Sequence, residues 1–104
     1  MPTLTIPAIR TWLEHIATTY PSREFFPANS SCCLVGQYLN DTEKQYISWW
    51  VGRNEYGHGQ EEYYLPAEIR SLVAAFDSMI NLYGVSATQA LAWFNKRYPQ
   101  GTDE

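Results

Sequence analysis

The chain has 104 residues, 45% of them apolar and 17% charged, with a net charge of −4 and a pI near 5. That length and composition suit one globular domain with its own core and exclude a disordered chain. Seven bases without a stripe leave little footprint for phosphate backbones, and no purely apolar run is longer than Leu72–Phe76, far short of the roughly 20 residues of a membrane span.

Residues 6–20 predict an amphipathic helix, because Ile9, Trp12, Leu13, Ile16 and Tyr20 recur at the spacing that lines one helical face. Thr5 suits its N-cap, Pro7 its first turn, and Tyr20-Pro21 its end. After a loop through Pro27 and Asn29, Ser30 or Ser31 is expected to cap a short helix over 32–39, apolar nearly all round and stopped by Asn40-Asp41. From Gln45 to Gly52 the β-branched and aromatic residues Tyr46, Ile47, Trp49, Trp50 and Val51 predict a strand. Residues 53–60, with Asn54, Gly57 and Gly59, then read as a long hairpin loop, and 61–65 as the returning strand. Glu61, Tyr63 and Leu65 would share one face of that strand, Glu62 and Tyr64 the other.

Residues 66–83 predict a helix with the stripe Ile69, Leu72, Val73, Phe76, Ile80 and Tyr83, closed by Gly84. A last helix opens on the capping box Ser86-x-x-Gln89, turns Ala90, Leu91, Phe94 and Tyr98 inward, and stops at Pro99. The expected fold class is therefore α+β, about four helices packed on a two- or three-stranded antiparallel ribbon. Helices two, three and four would form most of the core. Residues 1–98 read as one compact domain and 99–104 as a flexible tail.

The charge is unevenly placed. Asp41, Glu43, Glu55, Glu61, Glu62 and Glu68 face only Lys44 and Arg53 between residues 41 and 68, whereas the flanks sum to zero. The same stretch holds six of the sixteen aromatics, including Trp49-Trp50 and Tyr63-Tyr64. Adjacent strand residues point to opposite faces, so a ribbon covered on one face leaves at least one indole and one phenol on the other. Exposed Trp and Tyr bury much area with few torsions to freeze, which favours them as interface anchors. The candidate partner-binding residues are therefore Trp49, Trp50, Arg53, Glu55, Tyr56, Glu61, Glu62, Tyr63 and Tyr64. The competing account is that both faces are covered, or that a bulge turns both indoles inward, and the rings are core. Glu61-Glu62 and Asp41/Glu43 are by default solvated charges.

Two other constellations carry chemistry. A helix, a turn with Gly84 and a helix opening Val85-Ser86-Ala87-Thr88 resembles the core of helix-turn-helix DNA readers, which would offer Ser86, Thr88, Gln89, Lys96 and Arg97 to DNA. That motif has a small residue where this chain has Ile80, and Ala90-Leu91-Ala92-Trp93-Phe94 offers almost nothing to base edges. Ser31-Cys32-Cys33-Leu34-Val35-Gly36-Gln37-Tyr38 resembles the nucleophile helix of cell-wall cysteine amidases, which would make Cys32 a nucleophile served by His58 or His15. Those enzymes place Asp or Asn before the cysteine, where this chain has Ser31. Buried cysteines packing a core helix are the commoner use of such a pair.

Adjacent cysteines make poor disulfide geometry, and Met1-Pro-Thr-Leu-Thr has no leader pattern, so a cytoplasmic chain with free thiols is expected. No metal spacing, phosphate loop or dinucleotide fingerprint is found, and no cofactor is expected. The leading expectation is a small acidic, non-enzymatic binding protein, an inhibitor acting by protein–protein occlusion. Its partner would be a protein, for instance a basic nucleic-acid-handling complex, with no membrane contact; a homodimer through residues 61–65 is a further option. In size and charge it is similar to inhibitors encoded by phages and mobile elements, including anti-CRISPR proteins.

Overall fold

A computed structural model describes residues 2–29, 31–46, 48–79 and 84–99. They form four helices and two small antiparallel sheets, an α+β fold. Helix α1 (Ile6–Thr19) starts where Thr5 accepts a hydrogen bond from the Ala8 amide at 3.2 Å. It buries Ile6, Ile9, Trp12, Leu13 and Ile16, so the first helix is a full contributor to the core, against the expectation that the other three dominate. Tyr20 leaves the stripe because it is the C-cap, at φ −133°, and stands exposed.

Helix α2 (Leu34–Thr42) begins and ends later than the sequence suggests. Its N-cap is Cys33, whose sulfur accepts from the Gly36 amide at 3.3 Å, while Asn29 Oδ1 accepts from the Ser31 and Cys32 amides. Asn40 and Asp41 do not stop the helix, because their side chains find partners elsewhere. Asn40 bonds Gly36 O and the main chain of Trp49, and Asp41 pairs with Arg23.

Helix α3 (Ala67–Asp77) buries Ile69, Leu72, Val73 and Phe76 of the predicted stripe. It ends at Asp77, six residues before the predicted end, where the Ser78 hydroxyl bonds Ala75 O in competition with the helical ladder. Ile80 and Tyr83 lie outside the described residues, as do Ser30, Ile47 and the tail from Gln100. Helix α4 (Ala87–Arg97) opens on the predicted box: Ser86 Oγ accepts from the Gln89 amide and Gln89 Oε1 from the Ser86 amide. It buries Ala87, Ala90 and Phe94, with Leu91 and Tyr98 half-buried.

Strand β1 (Glu24–Phe25) pairs with β5 (Val85–Ser86), a two-stranded sheet the sequence did not announce. Gly84 is not a helix C′ residue; it lies against Glu24, whose Cβ would stand 2.9 Å from a Cβ placed there. The second sheet has the order β2–β3–β4, with β2 (Trp50–Val51), β3 (Glu55–His58) and β4 (Glu61–Tyr64). Residues 53–60, expected to be one loop, thus contain a strand.

Two arginines, Arg10 and Arg23, tie these parts together. Arg10 on α1 is buried, its guanidinium 5.3 Å from the Phe94 ring and bonded to Asn95 Oδ1 and Tyr98 O at the end of α4. A cation there answers the free carbonyls and the negative end of the helix dipole. Arg23 forks onto Asp41 at 2.8 and 2.9 Å and donates to Gln37 at 2.7 Å, while Trp12 Nε1 donates to Asp41. Arg97 folds back over Tyr98. Asp41, expected to be a solvated charge, is therefore a structural one.

Candidate functional site

The ribbon is positioned by α2. Asn40 accepts from the Trp49 amide at 2.9 Å and donates to the Trp49 carbonyl at 3.2 Å, pairing with that residue as a neighbouring strand would. Ser48 just before it has φ +62°, a left-handed turn that ends any strand running from Gln45. The predicted strand is thereby cut to Trp50–Val51.

Alternation then sorts the two indoles. Trp49 turns inward and is 1% exposed, its Nε1 donating to Glu43 O at 2.9 Å. It stacks on Tyr56 at 6.0 Å and meets the His58 ring edge-on at 4.7 Å. Tyr46 lies parallel on His58 at 3.7 Å, Tyr63 packs on Tyr56 at 5.4 Å, and the Tyr63 hydroxyl sits 3.5 Å from His58 Nε2. This inner face is an aromatic ladder against the helices, and burial pushes the Tyr56 phenol above its ordinary pKa.

The outer face has a different chemistry. Cross-strand register sets Trp50, Gly57 and Glu62 in one row, with Glu55 opposite Tyr64 in the next. The Trp50 indole lies across the two glycines: a Cβ on Gly57 would come 2.9 Å from one ring carbon, and one on Gly52 3.8 Å from another. The same added Cβ on Gly57 would run into the Glu61 carbonyl, so glycine is required there by close approach. Gly59, at φ +55°, takes the first central position of the two-residue loop that joins β3 to β4, where glycine is favoured. Tyr64 is 85% exposed, and Glu61 and Glu62 are exposed beside it. None of the side chains of Trp50, Glu55, Glu61, Glu62 and Tyr64 has a hydrogen bond or ion pair to another described residue.

The expected site residues therefore divide. Trp50, Glu55, Glu62 and Tyr64 share the outer face; Glu61 and half-buried Tyr63 follow on the inner side of the edge strand. Arg53 stands exposed in the β2–β3 connection, on the lip of a hollow lined also by Val51, Gly52, Val73, Ala74 and Asp77. Trp49 and Tyr56 are corrections: both are core, at 1% and 2% exposure, because Trp49 is bonded to Asn40 and to Glu43 O at the end of α2 and Tyr56 packs between Trp49 and Tyr63. Tyr46, 46% exposed, belongs to the ribbon surface and was not among the expected partner-binding residues. The signal that could have found it is its place three residues before Trp49, but only the His58 stack fixes its orientation.

The other two constellations are the cysteine pair and the stretch between α3 and α4. Cys33, not Cys32, caps α2, and burial pushes its thiol up to about 11, which leaves it protonated and inert. Cys32 is exposed, one residue outside the helix, while His58 is engaged in the aromatic ladder. Residues 80–83 between α3 and α4 lie outside the described residues, and Val85–Ser86 just before α4 form strand β5. Among the described residues no three His, Cys, Asp or Glu side chains converge as a metal would need, and no helix is long and apolar enough to cross a membrane. The chain matches no protein-family model, no curated protein and no solved structure.

Proposed function

We propose that this is a small acidic binding protein whose outer ribbon face covers a basic surface on a protein partner, acting as an inhibitor by occlusion. A surface that handles nucleic acid is the natural counterpart, since carboxylates can occupy the places of phosphates. Such a role would place the protein among inhibitors of the kind mobile elements encode.

The observation that supports this most is the outer row itself. An indole laid over glycines, two carboxylates and a phenol stand together without partners within the described chain. Aromatic faces attract cations, by about 0.5–1 kcal/mol at exposed sites and more when water is excluded, and Arg also pairs its fork with carboxylates. The combination favours Arg and Lys side chains.

Affinity capture from a native lysate, with mass spectrometry, compares the wild type with a Trp50→Ala/Tyr64→Ala double variant. The wild type should retain a basic protein that the variant releases, and raised salt should weaken the capture. Identical retention by both chains would overturn the reading.

A further inference from the structure

We infer that β4 accepts an extended, basic segment of the partner as a fourth strand of the ribbon sheet. This rests on the reading of the outer face as a binding surface and adds how the partner is held there.

Strand β4 ends the order β2–β3–β4, so one of its edges meets no strand among the described residues. His58 and Glu61 flank the two-residue loop, and Tyr56 pairs with Tyr63 two positions on. In an antiparallel pair the residues that exchange backbone bonds alternate with those that do not, so Glu61 and Tyr63 bond to β3. The N–H and C=O groups of Glu62 and Tyr64 then point away from β3. No other backbone bond among the described residues uses them. Both residues are exposed, so the edge is open.

The same two residues carry the side chains of the outer face. A strand added about 4.8 Å away would therefore set alternate side chains beside the Glu62 carboxylate and the Tyr64 ring. A base opposite Glu62 forms a cross-strand ion pair, and an Arg beside Tyr64 can lay its stem and fork against the phenol. Trp50 lies two strands from β4, on the order of 10 Å, and is left for another part of the partner.

Charge also selects the occupant. A second copy pairing edge to edge would gather the Glu61 and Glu62 carboxylates of both chains along one four-residue ladder. That crowding of like charge within a Debye length opposes self-pairing, whereas a basic segment relieves it. Short, acidic edge strands are a common guard against self-association, and here the guard doubles as a filter for sign.

The test uses the whole chain and a ten-residue peptide of alternating Arg and Thr, with a Glu/Thr peptide of the same pattern as control. Backbone amide exchange should slow at least tenfold at Glu62 and Tyr64 when the Arg/Thr peptide saturates, and stay unchanged at Glu61 and Tyr63. Methylating one alternate set of the peptide's nitrogens should weaken binding tenfold or more, and methylating the other set should not. If both methylated sets bind alike and the Glu62 and Tyr64 amides exchange freely, strand addition is wrong while the acidic face can still be a binding surface. Failure of the Arg/Thr peptide to bind, with Trp50-dependent capture of a basic protein intact, overturns it equally. Slowed exchange at Glu62 that depends on protein concentration without any peptide would make a second copy the occupant and overturn a basic one.

Discussion

Two charged regions of this molecule look alike in the sequence and behave oppositely in the fold. In the knot between α1, β1 and α2, Arg23 meets Asp41 and Gln37, Gln37 donates to the carbonyls of Glu24 and Cys32, and Trp12 donates to Asp41. On the outer ribbon face, Glu55, Glu62 and Tyr64 answer nothing within the described chain. Charges that a fold needs are closed into bonds by residues distant in sequence. Charges left open on a rigid, aromatic surface are free for another molecule.

The first way to break this contrast is to exchange the roles of the paired indoles. Trp49→Ala empties a fully enclosed site and removes a donor from Glu43 O, so a loss of about 3–5 kcal/mol is expected in denaturant unfolding. Trp50→Ala should cost much less, because the ring is only half-buried, yet it should carry the loss of partner binding. Equal destabilisation by the two would mean that both rings are core. Next in size is Gly57→Ala, whose methyl group meets the Glu61 carbonyl and the Trp50 ring; overpacking of this kind costs roughly 1–3 kcal/mol. It should lower the melting temperature and shift the Trp50 fluorescence together.

The knot predicts a smaller effect. Asp41→Ala leaves the Arg23 fork and the Trp12 N–H without their acceptor, in a pair whose side chains are each 29% exposed. Partial access to water limits the cost to about 1–2 kcal/mol, measured by urea unfolding. Partner binding should not change, since the knot is not part of the ribbon face.

The cysteine pair separates in the same manner. Cys32 is exposed and Cys33 buried, so a thiol reagent should label one site in the folded protein and two after denaturation. Burial favours the neutral thiol of Cys33 and raises its pKa from 9.0 to about 11. The folded state then holds that proton more tightly than the unfolded chain. This contribution is complete below pH 9 and is lost as pH rises towards 11, so the wild type should lose stability there more steeply than Cys33→Ala.

What the residues revealed follows the range of the interactions involved. Apolar spacing located α1, α3 and α4, an all-round apolar run located α2, and Thr5 and the Ser86–Gln89 box placed two of the starts, because these signals act within one turn. Alternation offered a separation of Trp49 and Trp50 beside the account in which both rings are core, and did not say which would be buried. That depended on Asn40 seizing the backbone of Trp49 from another element. Gly57 and Gly59 read as loop residues, whereas one is fixed by the indole packed above it and the other by a tight turn. Asp41 looked solvated because its partner, Arg23, lies 18 residues away. The acidic aromatic site was legible as a stretch of chain, and its division into a structural and an open face was not.

The smallest expected effect is the sharpest. Tyr64 touches little of its own chain, so Tyr64→Ala should leave stability within about 0.5 kcal/mol of wild type. Glu62→Gln should do the same, since no described group depends on its carboxylate. A phenol left 85% exposed has little reason in folding to be there. If both variants unfold like the wild type and both release the captured partner, stability and recognition lie on opposite faces of one three-stranded sheet. If either one unfolds at markedly lower urea, that side chain supports the ribbon after all, and the surface available to a partner shrinks towards Trp50 and Glu55.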